Sequence, residues 1–137
     1  MRKYGLLLAF VALLVAPLRA ADVQVIANPA VTVSELTAND LKDIFLGNKT
    51  SLGGVGVEPV LRLSGETHEE FLQTYIGKSD SALRNHFKTL VFTGKGAQPK
   101  AFASDAEVVK YVMSTRGAIG YVSASADTGS AKKIQVK

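Results

Sequence analysis

Arg62, Ser64, Gly65 and Thr67 lie within one six-residue run, RLSGET, with His68 directly behind them. Small hydroxyl residues and a glycine between a strand and a helix suit the binding of an anion. Val57, Val60, Leu61 and Leu63, with Pro59, read as a short strand before the run. Phe71, Leu72, Tyr75 and Ile76 recur at helical spacing after it, and Gly77 stands where a left-handed helix stop is expected. Thr67 followed three residues later by Glu70 fits a capping box, so Thr67 is the predicted N-cap. A chain that turns in this way aims free backbone N–H groups outward at the positive end of the helix dipole, a geometry that holds anions. On the plainer reading, Ser64 and Thr67 only cap the helix.

Other chemistries fit less well. Ser64 and His68 are four apart with Glu69 and Glu70 beside them, which suggests a nucleophile and a base. No Gly-x-Ser-x-Gly elbow surrounds Ser64 and no orienting acid is identifiable, so the chain is read as a non-enzyme. His68 is expected as an exposed first-turn residue that, when protonated, adds a donor beside an anion. His86 shares a face with Leu83, Phe87 and Leu90 and reads as a core-edge histidine. Two histidines eighteen apart and no cysteine give no metal-ligand spacing, and no cofactor is implied. The segment Thr93-Gly94-Lys95-Gly96 runs into Ala97-Gln98-Pro99 and lacks the Gly-Lys-Ser/Thr helix start of a phosphate loop. Lys95 is then either a solvated lysine in a turn or a cation at the rim of the anion site.

At the N-terminus, Arg2 and Lys3 precede an apolar run from Leu6 to Ala16, followed by Pro17-Leu18-Arg19-Ala20-Ala21. This is the pattern of a secretory signal peptide over residues 1–20, cleaved after Ala20. The run has eleven residues, against roughly twenty for a bilayer span, so no membrane span is expected after cleavage. Export, most simply to a bacterial periplasm, follows. Residues 21–137 are enough for one domain. Removing Arg2, Lys3 and Arg19 leaves 13 Lys and Arg against 12 acids, so the formal +4 of the full chain becomes +1. Without a basic stripe interleaved with aromatics, nucleic acid is excluded as a partner.

The elements that carry these residues alternate between the two hydrophobic periods. Asp22 to Ala27 alternates as a first strand, and Val31 to Leu36 is a second extended piece or an approach loop. Thr37 caps a helix striped by Leu41, Ile44 and Phe45 and stopped at Gly47. Asn48 to Gly56 reads as a glycine-rich loop. Ser79 caps a helix with Leu83, His86, Phe87, Leu90 and Val91 on one side. Ser104 with Glu107 opens another, with Val108, Val109, Val112 and Met113 inward. Ala118 to Ser123 is a buried strand, and Lys133 to Val136 a last short one. Strands alternating with helices predict an α/β domain with a largely parallel sheet.

Four segments taken together carry a resemblance: LTANDLKDIFLG (36–47), the strand with its SGET turn, the Gly-Lys-Gly stretch at 94–96, and RGAIGYV (116–122). In this order they resemble the second lobe of the periplasmic phosphate-binding proteins that serve ABC transporters. The resemblance covers nearly all of the mature chain but about half of such a protein. It implies a single three-layer lobe of the type II periplasmic-binding-protein fold, with a mixed, mostly parallel sheet flanked by helices. The family's anion loop reads Arg-x-Asp-Gly-Ser-Gly-Thr, which carries over to Arg62, Ser64, Gly65 and Thr67. Here the run is one residue shorter, the Asp-Gly pair is missing, and Glu66 intervenes. A carboxylate beside a bound phosphate dianion repels it by roughly 1 kcal/mol in water.

Two functions are therefore expected from the sequence. One is capture of phosphate or a related oxyanion through Arg62, Ser64, Gly65, Thr67, His68 and Lys95, in phosphate uptake or sensing with a transporter as partner. The other is an envelope protein-interaction module that keeps the lobe fold without tight ligand binding. Because one lobe supplies only part of a clamp's donors, tight binding would need a homodimer or another partner facing residues 64 to 68.

Overall fold

The computed structural model describes residues 22–137. The predicted signal peptide, residues 1–20, lies outside the described residues. Alternation of side chains along each strand decides the layers. In β1 (Val23–Ala27), Val23, Val25 and Ala27 face one core and Ile26 the other. In β7 (Ala118–Ser123), Ile119 and Tyr121 face the first core, and Ala118 and Val122 the second. A strand apolar on both faces must be covered on both.

The first core lies under α1 (Ala38–Phe45), α2 (Glu66–Phe71), a π-helical turn that continues it (Leu72–Ile76), and α3 (Asp80–Phe92). The second lies under α4 (Asp105–Ser114), which packs Val108, Val109 and Val112 onto Ile26 and Val60. The result is three layers. The central sheet has the order β2-β8-β1-β7-β5-β6, where β2 is Glu35–Leu36, β5 Glu58–Arg62, β6 Lys100–Phe102 and β8 Lys132–Val136. Only β1 runs against the others; β5 is parallel to both β7 and β6, and β2 to β8.

Predicted caps are in place at three helices: the side chains of Thr37, Ser79 and Ser104 each accept from the backbone N–H three residues on. Gly77 takes the left-handed stop with φ 71°. Three expectations are corrected. Asn48 to Gly56 is not simply a loop, because Ser51–Leu52 (β3) and Val55–Gly56 (β4) pair as a hairpin. Gly53 and Gly54 both have positive φ, as a tight hairpin turn demands, and Leu52 is buried. Val91, placed on one side with Leu83 and Phe87, and Met113, assigned inward, are exposed at the C-terminal ends of their helices. The strand β6 is an addition that no local pattern announces.

Gly117 does more than stop α4. A Cβ there would stand 2.0 Å from the Gly56 carbonyl oxygen, at φ +81°. Only glycine lets the α4–β7 turn and the start of β5 approach this closely. That approach sets β5 beside β7, and so fixes what their far ends bring together. Among the described residues, no helix is long and apolar enough to cross a membrane.

Candidate functional site

The parallel strands β5, β6 and β7 end on the same side of the sheet. From there the chain leaves β5 for α2 on one face and β6 for α4 on the other. Such a switch point is where open α/β sheets take ligands. It gathers the 62–67 run, the Ala103–Asp105 turn and Ser123–Ser125.

Helix α2 starts two residues earlier than its sequence suggests. Gly65, with φ 103°, is the N-cap, no side chain caps it, and Glu69 N–H bonds to Gly65 O at 3.0 Å. Thr67 is therefore inside the first turn and is not the cap, a correction with a local cause. Positive φ at Gly65 lets the backbone enter the helix directly after Ser64, and Glu70 turns instead to accept the Asp22 N–H at 3.0 Å. The capping box is not formed. Ser64, Gly65 and Glu66 are exposed and Thr67 is half-buried. The start of the turn, at Glu66 and Thr67, thus reaches solvent with no side-chain acceptor for its N–H groups.

Arg62 ends β5 close by, but its charge is committed. The guanidinium pairs with Asp105 and donates to the Ala103 carbonyl at 3.1 Å. Its Nε is buried without an acceptor, alone in this among the side-chain atoms of the described residues. Beside the corner, Asp22, Glu66, Thr67, Glu70, Ser123 and Ser125 border a depression of about 350 Å³. The two serine hydroxyls there bond to each other at 3.0 Å. Three carboxylates at one rim make the local potential more negative than Glu66 alone implied.

Lys95 does not join this group. It lines a groove with Val57, Pro59, Phe87 and Leu90, at the opposite end of β5, about 13 Å of strand away.

His68 is corrected as well: it is 2% exposed. Its Nδ1 meets the Tyr121 hydroxyl and its Nε2 lies 2.8 Å from Asp80 Oδ1. Both ring nitrogens are taken, so no Ser64–His68 pair forms. The signal was present in the sequence, since His68 heads the stripe continued by Phe71, Leu72 and Tyr75 at helical spacing. Burial pushes the Tyr121 hydroxyl well above its ordinary 10.0. At Asp80, partial burial pushes the carboxyl up, but hydrogen bonds from His68 and Arg84 and the Arg84 charge outweigh it and leave the group lowered. Sequence reasoning missed Tyr121, Asp80, Asp105 and the Ser123–Ser125 pair. A tyrosine in a strand buried on both faces calls for a hydroxyl partner, and that was the available clue.

No protein-family model and no curated protein matches the chain. Solved structures do. An ABC-type phosphate transport receptor from Vibrio cholerae superposes with a TM-score of 0.56 at 20% identity, over 84% of this chain and 46% of that one. A putative phosphate ABC transporter substrate-binding protein with bound phosphate, from Clostridium perfringens, gives 0.61 at 19% identity, over 84% and 44%. The chain therefore spans just under half the length of the structures it matches. Its fold is that of a single lobe of a periplasmic binding protein.

Proposed function

We propose that this chain is an exported, non-catalytic binding domain that takes phosphate or a related oxyanion at the start of α2. Ser64, Gly65 and Thr67 form the site with the N–H groups of residues 66 and 67, and Arg62 backs it. The observation that carries this reading is the uncapped, exposed start of α2 at Gly65, placed at the carboxyl ends of the parallel strands. The likeness to a receptor crystallised with phosphate supports it. Export rests on the Arg2–Ala20 pattern, and a periplasmic location is part of the same proposal.

The electrostatics set the strength. With Arg62 neutralised by Asp105, the free donors are backbone N–H groups and hydroxyls, while nearby carboxylates each oppose a dianion by roughly 1 kcal/mol in water. A lone copy then binds weakly, and a second copy or an envelope partner such as a transporter supplies the missing face. Titrating phosphate into isotope-labelled protein should shift the amides of Ser64 to His68 at millimolar phosphate, and Ser64→Ala should weaken the response. A submicromolar constant for the monomer, or no shift of those amides, would overturn the proposal.

The negative rim and the committed Arg62 favour a second reading, in which the lobe serves as a docking module without a small ligand. An oxyanion panel that leaves the melting temperature unmoved, together with a dimer on a sizing column, would support it.

A further inference from the structure

We propose that Asp80, His68 and Tyr121 form a proton-ordered chain that positions the turn between β5 and α2 from inside the core. The order follows from donors and acceptors alone. Arg62 N–H donates to the Tyr121 oxygen at 3.1 Å, so that oxygen accepts there. The hydroxyl proton then goes to the other polar atom in contact, His68 Nδ1. With Nδ1 accepting, the ring carries its hydrogen on Nε2, which donates to Asp80 Oδ1 at 2.8 Å. The second carboxylate oxygen accepts Arg84 Nε at 2.7 Å. Each group has one role, and reversing any link leaves a polar atom unpaired beside residues that are 0% and 2% exposed.

One oxygen atom thus holds both banks of the turn. Arg62 is its last residue on the β5 side and His68 lies in the first turn of α2, six positions apart along the chain and both bonded to Tyr121. Between them lie residues 63 to 67, of which Leu63 to Glu66 are exposed and only the Leu63 N–H is tied by a backbone bond, to the Phe102 carbonyl at 2.9 Å. His68 is a positioning residue, and Asp80, at the solvent-reaching end, accepts its Nε2 hydrogen. The ring of Tyr121 contributes separately, by stacking on Phe71 at a centroid distance of 3.7 Å. Tyr121→Phe keeps that stack and removes only the link.

The experiment compares the full chain with Tyr121→Phe by nuclear magnetic resonance. In the native chain, ¹⁵N shifts of the His68 ring should report hydrogen on Nε2. In Tyr121→Phe, amide exchange should quicken about tenfold or more at Arg62, Leu63 and Glu69, the amides of this stretch that are bonded in the native chain, with the β1–β8 amides unchanged. Hydrogen on Nδ1 in the native chain, or exchange that is unchanged or quickened evenly throughout, overturns the proposal. Should Tyr121→Phe not fold, Asp80→Ala serves: it removes the outer acceptor and leaves the Arg62–Tyr121–His68 links, so hydrogen should stay on Nε2, and its appearance on Nδ1 overturns the proposal. The inference deepens the oxyanion reading but needs no ligand for these readouts. A turn that loosens as expected, in a protein whose amides ignore phosphate, upholds the chain and removes only the binding proposal.

Discussion

Asp80 reaches solvent at one end of a buried network, and its ionisation links that network to pH. Its carboxyl lies below the ordinary 3.8 because the hydrogen bonds from His68 and Arg84 and the Arg84 charge outweigh the opposing effect of burial. The folded value is thus below the unfolded one. Its contribution to stability is present above about pH 4 and is lost as pH falls through the folded value. Asp80→Asn should therefore melt below the native protein at neutral pH, and the gap should close on acidification below about pH 4, where the native carboxyl also becomes neutral. Melting curves from pH 7 downward check this, and a gap constant to the acid end would contradict it. The sequence shows Asp80 only as a first-turn acid next to a cap. Its partner His68 comes from another helix, a pairing that local spacing does not encode.

At the scale of elements, what is local was legible and what is relational was not. Thr37, Ser79 and Ser104 read as caps because a cap is a contact across three residues. Thr67 fits the same pattern, yet the backbone of Gly65 had already opened the helix. The two cases separate by mutation. Ser104→Ala should cost about 1 kcal/mol, since Ser104 accepts the Glu107 N–H and Glu107 accepts the Ala103 N–H. Thr67→Ala should change stability by less than about 0.5 kcal/mol, because it caps nothing and alanine favours a helix. Urea midpoints of the two variants decide it, and equal losses would restore Thr67 as the cap. The hairpin at Ser51–Gly56 was legible in principle from Leu-Gly-Gly-Val. By contrast β6, three residues held by pairing to β5, has no signature of its own. The corner proposed for an oxyanion was legible as a place, a turn before a helix start, but its electrostatics were not. Asp22 and Asp105 reach it from elsewhere in the chain, and Glu70 faces it because the capping box does not form.

For the whole molecule, the decisive quantity is how much of a clamp one lobe can replace. A closed clamp surrounds an anion with donors and excludes water, and this chain spans 44–46% of the structures it matches. An anion bound at its corner would stay half in water, where charge-assisted hydrogen bonds gain little over solvation. If phosphate at a concentration equal to its dissociation constant is the most that millimolar buffer achieves, the fold gains only about 0.4 kcal/mol. For a domain of this size that is about 2 °C in a melt. The expected outcome is a shift no larger than this at low micromolar protein in 10 mM phosphate, measured against chloride of equal ionic strength. If a second copy supplies the other face, the shift should grow as protein concentration rises, since the complete site then exists only in the dimer. A shift independent of protein concentration would point instead to a partner of different sequence. A large shift at the lowest concentration would mean that one lobe closes around its ligand unaided, contrary to the open corner at Gly65.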